Sequence, residues 1–379
     1  WSLITDTGVN LVQPSSSARE NLQFLTFVVA TVKAVYDHAD LLRSSIASAS
    51  NDFRLGANEA PPAIMSVFLG STLSSVLDEL EKNGNVIIEK GDNMYMKLGI
   101  SKIPEIILDN TDRNRTSPFA FTGNKFEFRA VGSGANSAGP MTALNVIVAE
   151  TLRNLLKDID KEVNAGKEKK IAIVNVLRKY IKDSKKIRFE GDGYSDEWAK
   201  EAEKRGLSNL KSTPAALDIY HDKKVAELFA KHNVLNPKEL HARHEIMLEN
   251  YIKKVQIESR VMGDLALNHV IPTSILYQNK LIENANGLAG LGLDNTAAIE
   301  TIKEISKHLE SINKNVHGMT EARKQLNKEE DIVKRAKGYC NDVKEAYFDK
   351  IRYAVDKLEL VVDDELWPLV KYREMLFIK

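Results

Sequence analysis

Cysteine is almost absent from this sequence of 379 residues, in which Cys340 is the single example. One thiol cannot form an internal disulfide or a thiolate metal cluster, so the sequence predicts a protein of a reducing compartment, with the cytoplasm as the default. An excess of charge of one sign is also missing, because 53 basic residues balance 53 acidic ones. No net field draws the chain toward nucleic acid or a membrane, and we expect any anionic ligand to be held by a local group of cations.

Long hydrophobic runs are missing as well. The most apolar stretch, residues 22–35, is interrupted by Thr26, Thr31 and Lys33 and is shorter than the roughly 20 residues that cross a bilayer. We interpret it as a buried helix. The sequence begins with Trp1 and has no charged leader, so we expect the natural protein to begin earlier and this chain to be one portion of it.

The first part of the chain mixes helical and strand patterns. Apolar residues at three- and four-residue spacing predict a helix over residues 15–48 and another over residues 72–82. Residues 51–62 are rich in Asn, Gly and Pro and are predicted to be a loop. Alternation over residues 117–131 predicts a pair of strands, and a helix is expected from Pro140, whose fixed φ suits a first turn.

The second part has a helical pattern almost throughout, from residue 167 onward. Its longest predicted helix begins after Pro237 and should be kinked or interrupted at Pro272, because proline lacks the amide that an interior helical position donates. We therefore predict an α+β fold with two domains, residues 1–165 and residues 166–379, of which the second is mainly α-helical.

One predicted strand carries the most informative side chains. A strand's two-residue period places Lys125, Glu127 and Arg129 on one face and Phe126 and Phe128 on the other. A carboxylate between two cations can hold Mg²⁺ while the cations receive phosphate or carboxylate oxygens. From alternation alone, a solvated strand face with cross-strand ion pairs is the favoured interpretation.

Further charged residues lie beside chain breakers. Arg115 precedes the strand pair, and Arg54 and Glu59 lie in the loop of residues 51–62. A guanidinium fork binds carboxylate or phosphate through two hydrogen bonds, and binding residues often lie on loops. Taken singly, each of these residues is also compatible with ordinary surface charge.

Together these segments resemble the glutamine synthetases. The loop of residues 51–62, the Asn114-Arg115 pair and the Lys-Phe-Glu-Phe-Arg strand of residues 125–129 occur in the order and context of that family. The three motifs are specific in combination and weak one at a time.

The detailed amino-acid sequence of two of these segments is similar to that of the type III branch of the family. Residues 58–64 read Asn-Glu-Ala-Pro-Pro-Ala-Ile, and residues 121–125 read Phe-Thr-Gly-Asn-Lys. The resemblance continues through the helical tail, as at residues 249–251 and at Tyr277-Gln278, so it covers essentially the whole chain. It implies that the first domain is part of an antiparallel catalytic β-sheet or barrel with helices.

The resemblance also implies an activity and residue roles. The activity is ATP-dependent ligation of ammonia to the side-chain carboxylate of glutamate through a glutamyl phosphate. Glu127 would bind the metal that bridges to ATP, and Arg129 and Arg54 would bind glutamate. Arg115 would neutralise the transferring phosphate, and Glu59 would lie on a flap that closes over the site and helps to deprotonate ammonium.

A nucleotide site is implied near the same strand. Ser2, Arg115 and Lys125 would contact ATP, with Lys125 in place of the arginine that type I enzymes have. Where type I enzymes carry a further arginine after the Asn-Arg pair, this chain has Ala120, so its phosphate contacts are expected to be redistributed.

The resemblance implies Mg²⁺ or Mn²⁺ as cofactor and a homo-oligomer, expected to be a dodecamer of two hexameric rings, with no nucleic acid or membrane partner. Most of the family's metal-binding residues precede the position of Trp1, so we expect this chain to be inactive alone. Two alternatives stay open: a non-catalytic assembly module, and a related ligase that joins another amine to glutamate.

Two weaker signals are discounted. The glycine-rich residues 132–139 lack the third glycine of a dinucleotide-binding turn and are predicted to be a tight connection. His241 and His244 share a helix face but lack the spacing of a zinc-protease motif, so we predict a solvated or core-edge pair. Cys340 is predicted to be a buried structural thiol.

Overall fold

The structure is a computed structural model, and it describes residues 1–14, 18–55, 63–82, 87–88, 96–97, 116–129 and 135–376. The chain forms two compact units, Trp1–His244 and Glu245–Lys379. It is mostly helical with a small mixed sheet, which confirms helices combined with strands. The predicted domains, residues 1–165 and 166–379, are a different division of the chain and stay a prediction.

The first unit contains all five strands that the structure describes. They are β1 (Val67–Phe68), β2 (Ile87–Ile88), β3 (Met96–Lys97), β4 (Phe119–Phe121) and β5 (Phe126–Phe128). Its helices are α1 (Ala18–Asp37), α2 (Ala39–Ser44), α3 (Ala49–Asp52), α4 (Ser71–Lys82), α5 (Ala138–Asn164), α6 (Lys169–Ser184), α7 (Asp196–Arg205), α8 (Thr213–Leu217) and α9 (Lys223–Lys231), with 3₁₀ turns at Lys185–Ile187 and Asp218–His221.

The described strands form two sheets: a mixed three-stranded sheet in the order β1-β4-β5 and a separate pair of β2 and β3. β4 pairs antiparallel with β5, which confirms the predicted strand pair, and β2 pairs antiparallel with β3. β1 pairs parallel with β4, so the expectation of an antiparallel sheet fails for this pair. The physical reason is the connection: parallel neighbours require a long crossover, and α4 lies on the path between these two strands.

A large apolar core holds the three-stranded sheet against three helices. α1 packs against α5 and α6, as the apolar run of residues 22–35 predicts for a buried helix. The α1 side chain Phe24 is 1% exposed and its ring centroid lies 5.9 Å from that of Phe121 on β4. Burying aromatic rings of this size supplies much of the driving force that fixes the sheet on the helices.

The predicted helix over residues 15–48 is two helices. α1 ends at Asp37 and α2 begins at Ala39, because His38 has φ −129° and ψ 32°, outside the helical region. Residues 15–17, with which the predicted helix begins, lie outside the described residues. The helix predicted over residues 72–82 is confirmed as α4, and the helix expected from Pro140 begins two residues earlier at Ala138.

The remaining elements are helical. They are α10 (Pro237–Leu265), a π-helical segment (Ala266–Val270), α11 (Ile271–Gly290), α12 (Thr296–Leu326), α13 (Ile332–Gly338), a second π-helical segment (Tyr339–Phe348), α14 (Asp349–Val361) and α15 (Tyr372–Met375). In the second unit, α12 packs against α11, α14 and the second π-helical segment. Across the described ranges, no helix is both long and apolar enough to cross a membrane.

The interruption predicted at Pro272 is confirmed. The π-helical segment Ala266–Val270 ends two residues before this proline, which occupies the first turn of α11. Proline has no amide hydrogen and its ring clashes with the preceding turn, and a wider π turn accommodates both defects. The helix therefore changes its hydrogen bonding where the sequence removes a donor.

Candidate active-site strand and its supports

The β4–β5 hairpin positions the candidate residues. The backbone nitrogen of Thr122 donates to the Lys125 carbonyl at 2.9 Å across the turn, and Gly123 there has φ 94°, which favours glycine. Beyond the strand pair, the Arg129 nitrogen donates to the Pro118 carbonyl at 2.8 Å. The hairpin therefore fixes the backbone from Lys125 to Arg129.

The apolar face of β5 decides which way the polar face points. Phe126 is fully buried, and its ring centroid lies 5.1 Å from that of Phe119 and 5.2 Å from that of Phe121. Phe128 packs at the edge of the same core, 6.1 Å from Phe119. Because neighbouring residues of a strand point to opposite sides, this burial turns the intervening side chains outward.

The polar face brings the three predicted residues together. A Glu127 carboxylate oxygen lies 3.4 Å from Nη2 of Arg129, and the other oxygen lies 4.0 Å from Nζ of Lys125. The side chains of Lys125 and Glu127 are 53% and 42% exposed, and that of Arg129 is 16% exposed. The contacts are loose, so the carboxylate keeps room for a further partner such as a hard cation.

Ser2 lies beside the same strand. The carbonyl of Trp1 accepts from the Phe126 amide at 2.8 Å, and the Trp1 nitrogen donates to the Phe126 carbonyl at 2.8 Å. The indole Nε1 of Trp1 donates to Oδ1 of Asn145 at 2.8 Å. These bonds place the backbone that carries Ser2 at the free edge of β5.

Arg54 follows a short helix that is anchored at both ends. The Ser48 hydroxyl caps α3 by accepting from the Asn51 amide at 3.3 Å, and the Asp52 carboxylate accepts from the Thr213 hydroxyl at 2.7 Å and amide at 3.0 Å. Arg54 itself is exposed, and its guanidinium makes no ion pair with another described residue. The structure thus supports its backbone without joining it to the β5 face.

A buried cation lies under α3. Arg43 is 1% exposed and its Nε donates to the Leu210 carbonyl at 3.0 Å. Burial lowers the pKa of the Arg43 guanidinium, and the nearby negative charge of Asp52 opposes that shift. Asp52 therefore stabilises a buried charge and anchors α3 at the same time.

Two predicted site residues lie outside the part of the chain that the structure describes. Glu59 and Arg115 lie within residues 56–62 and 98–115, which are not among the described residues. Most of the glycine-rich loop, residues 130–134, lies outside them too.

The described part of the chain has no group of three or more His, Cys, Asp or Glu side chains that could hold a metal ion. His241 is exposed, and His244 is 2% exposed with its ring centroid 4.3 Å from that of His221. The predicted pair, His241 and His244, therefore lies at the edge of the core. Cys340 is a free thiol, 2% exposed, as predicted for a buried structural cysteine.

Several supporting residues are missed by sequence reasoning. Asn145 is 144 residues from Trp1, and Thr213 is 161 residues from Asp52, so no local pattern links these pairs. Asn145 is an exposed residue of α5, so its local environment gives no signal of this bond either.

Known proteins match this chain from end to end. A glutamine synthetase of Bacteroides fragilis is 48% identical over 386 residues, covering 100% of this chain and 53% of the relative. The chain is a homologue of the glutamine synthetases. A type-3 glutamine synthetase of Dictyostelium discoideum is 38% identical over 388 residues, and a glutamine synthetase of Butyrivibrio fibrisolvens is 34% identical over 385 residues.

The glutamine synthetase relationship includes the helical part. The family profile described as the glutamine synthetase C-terminal domain matches residues 172–289. The match covers 52% of the Dictyostelium relative and 53% of the Butyrivibrio relative, so the chain spans about half the length of the curated relatives it matches.

Proposed function

We propose that this chain supplies part of the catalytic machinery of a glutamate–ammonia ligase that makes glutamine with ATP. The observation that carries the proposal is the polar face of β5, where Glu127 lies between Arg129 and Lys125 and stays open to solvent. The names of the relatives support it. Because the chain spans about half of those relatives, the activity is proposed for the natural protein that contains this sequence.

Glu127 is the proposed ligand of Mg²⁺ or Mn²⁺. Its side chain is 42% exposed and the nearest cation among the described residues is 3.4 Å away, so lone pairs remain for a hard ion that prefers carboxylate oxygens. Because the described residues contain no group of three or more His, Cys, Asp or Glu side chains that could hold a metal ion, we propose that the rest of the natural protein supplies further ligands. When bound, such an ion supplies charge neutralisation at the phosphates of ATP.

The cations of the site take the anionic groups of the substrates. Arg129 and Arg54 are proposed to bind the carboxylates of glutamate, for which a guanidinium fork is suited. Lys125 and Ser2 are proposed to contact the nucleotide, and Arg115 the nucleotide and the transferring phosphoryl group. Glu59 is proposed to lie on the flap and to accept a proton from ammonium.

The proposed reaction has two displacements. The side-chain carboxylate oxygen of glutamate attacks the γ-phosphorus of ATP, the bond to the β–γ bridging oxygen breaks, and ADP leaves. Ammonia, formed when ammonium loses a proton, then attacks the acyl carbon, and the carbon–oxygen bond to phosphate breaks to give glutamine. Negative charge accumulates in both displacements, which is why a face built from cations suits this chemistry.

The wider assignment follows the same relationship. We propose that residues 1–165 belong to a catalytic domain built on a sheet or barrel, with β1 and β4 as a parallel pair within it, and that residues 166–379 form a helical carboxyl-terminal domain. We also propose a cytoplasmic homo-oligomer, a dodecamer of two hexameric rings. Exposed apolar side chains on α10 and α11, including Ile257 at 61% and Leu276 at 51%, support contacts with further subunits.

The test is an assay of the natural protein with glutamate, ATP and either ammonium or small primary amines, comparing wild type with Arg129→Ala. We expect glutamine from ammonium, and a loss on the order of 10²–10³ in rate for the variant because one preorganised charge contact is removed. The matched control is Arg352→Ala, which removes an arginine whose side chain is 74% exposed on α14 and should leave the rate unchanged.

Each alternative has its own outcome. No ligation with any amine by wild type would favour a non-catalytic assembly module. Faster ligation of a small amine than of ammonia would favour a related ligase. Equal rates for Arg129→Ala and Arg352→Ala would contradict the assigned role of the β5 face.

A further inference from the structure

A second charged site lies in the first unit, between α4 and the end of α6. A cavity of about 530 Å³ opens there, within the size range of small-molecule sites. It shares no residue with the β5 face. In a chain with no net charge its lining is strongly basic, with three acidic residues against five cations: Lys182, Lys185, Lys186, Arg188 and Arg205.

Two of the acids are already paired with lining cations. Asp78 lies 2.7 Å from Nη2 of Arg188 and 3.1 Å from Nζ of Lys185, and Glu81 lies 2.7 Å from the same lysine nitrogen. These contacts are close enough to be charge-assisted hydrogen bonds. Arg188 and Lys185 therefore neutralise Asp78 and Glu81 within the wall.

The third acid is neutralised by a helix. Glu190 accepts hydrogen bonds from the backbone nitrogens of Leu69 at 3.2 Å and Gly70 at 2.9 Å and from the Ser74 hydroxyl at 2.6 Å. These donors lie at the start of α4, where the helix dipole favours a negative charge. Glu190 therefore forms its contacts with these donors and compensates none of the lining cations that the structure describes.

Positive charge and a donor remain for a ligand. Lys182 and Lys186 are exposed and neither side chain has a hydrogen bond or an ion pair with any residue that the structure describes. The Arg188 side chain is 7% exposed, and its Nε is buried with no hydrogen-bond partner in the described part of the chain. A buried N–H without an acceptor is costly, so Arg188 would gain from any acceptor that reaches its Nε.

We propose that this cavity, termed the α4–α6 cavity, binds a small phosphate-bearing anion. Lys182 and Lys186 supply the charge, and Arg188 Nε supplies a directed N–H bond. Lysine ammonium groups and arginine N–H groups are the common protein partners of phosphate oxygens. The proposal does not depend on the ligase activity, because no residue of the β5 face takes part.

The first test is calorimetric titration of the natural protein with inorganic tripolyphosphate. We expect Lys182→Ala/Lys186→Ala to weaken binding at the cavity by at least about tenfold, since two charge contacts are lost. The matched control is Lys157→Ala/Lys161→Ala, which also removes two exposed lysines four residues apart, outside the cavity. Its affinity should stay within about twofold of wild type, because the cavity is intact.

The arms separate the cavity from the proposed ligase site. If Lys125→Ala/Arg129→Ala abolishes all tripolyphosphate binding while the cavity variant retains it, the cavity proposal is wrong and the ligase proposal stands. Equal losses in the cavity variant and its lysine control would mean that binding follows general charge, which also overturns the proposal. Citrate binding as tight as that of tripolyphosphate would overturn the assignment to the phosphate class.

A second measurement avoids substitutions. Amines of the wild-type protein are acetylated with and without tripolyphosphate, and each lysine is quantified by mass spectrometry. We expect severalfold protection of Lys182 and Lys186 and none of Lys157. Equal modification of all three with and without tripolyphosphate would contradict the proposal.

Discussion

Two carboxylates of the first unit, those of Glu150 and Glu127, each have cations as neighbours. They differ in how close the contacts to their oxygens are. Glu150 on α5 is 14% exposed; His232 Nε2 lies 2.8 Å from one oxygen, Asn154 donates to the other at 3.1 Å, and Lys231 also forms a short ion pair with it. Glu127 on β5 is 42% exposed, and its basic partners among the described residues lie at 3.4 and 4.0 Å. Within the described part of the chain both acids have two basic neighbours, but the contacts of Glu127 are the longer ones and leave it coordination capacity.

The contrast separates stability from function. Burial disfavours the charged form of Glu150, but hydrogen bonds from Lys231, His232 and Asn154 outweigh it and lower its pKa to about 2. A saturated acid of this kind stabilises the fold and has nothing left for a ligand. An open acid contributes little to stability and is available for binding, so an ion cluster alone does not identify a site.

The largest expected effect is on catalysis by Glu127→Gln. The amide keeps the shape of the side chain but removes the charge that a metal ion requires, so we expect glutamine formation to fall on the order of 10²–10³. Steady-state rates with ammonium measure this. Glu150→Gln serves as the matched control and should retain most of the wild-type rate at a temperature where it is folded.

For stability we expect the opposite order of effects, with Glu150→Gln the more damaging of the two substitutions. We expect Glu150→Gln to lower the free energy of unfolding by about 2 kcal/mol at pH 7, since a partly buried charge cluster loses its anion. Glu127→Gln should change it by less than about 0.5 kcal/mol, as for exposed ion pairs. Urea unfolding measures both values, and a larger loss for Glu127→Gln would break the comparison.

A pH titration sharpens the same contrast. The folded pKa of Glu150, about 2, lies below its ordinary value of 4.5, so its stabilisation is complete above pH 4.5 and is lost as the pH falls toward 2. The corresponding contribution is up to about 3 kcal/mol. Between pH 5 and 2 the stability of Glu150→Gln should therefore decline less steeply than that of wild type; parallel curves would contradict the pKa assignment.

The smallest effect is expected at Lys125, whose side chain is 53% exposed and 4.0 Å from Glu127. Lys125→Met should change the free energy of unfolding by less than about 0.5 kcal/mol. The same substitution should raise the KM for ATP severalfold, because the proposed role of this lysine is to contact the nucleotide. An unchanged KM would place Lys125 among ordinary surface charges.

Local patterns predict the parts of this site that lie close together in sequence. Strand alternation correctly places Lys125, Glu127 and Arg129 on one face because burial of Phe126 enforces it. Proline chemistry likewise predicts the interruption near Pro272.

Long-range contacts are the parts that local patterns miss. Lys231 and His232 are 81 and 82 positions from Glu150 in the sequence, and Arg188 is 110 positions from Asp78. Neither the Glu150 cluster nor the α4–α6 cavity therefore has a sequence signature. The break at His38 is missed for a related reason, since the apolar stripe continues across it. Packing, rather than periodicity, decides these features.

The most direct test of the open acid is Mn²⁺ binding, followed by electron paramagnetic resonance, in the natural protein with ATP present. At the site to which Glu127 contributes, we expect wild type and Glu150→Gln to bind Mn²⁺ with equal affinity. Glu127→Gln should bind Mn²⁺ there at least about tenfold more weakly. Equal Mn²⁺ affinity in Glu127→Gln and wild type would contradict the assignment of this carboxylate as a metal ligand.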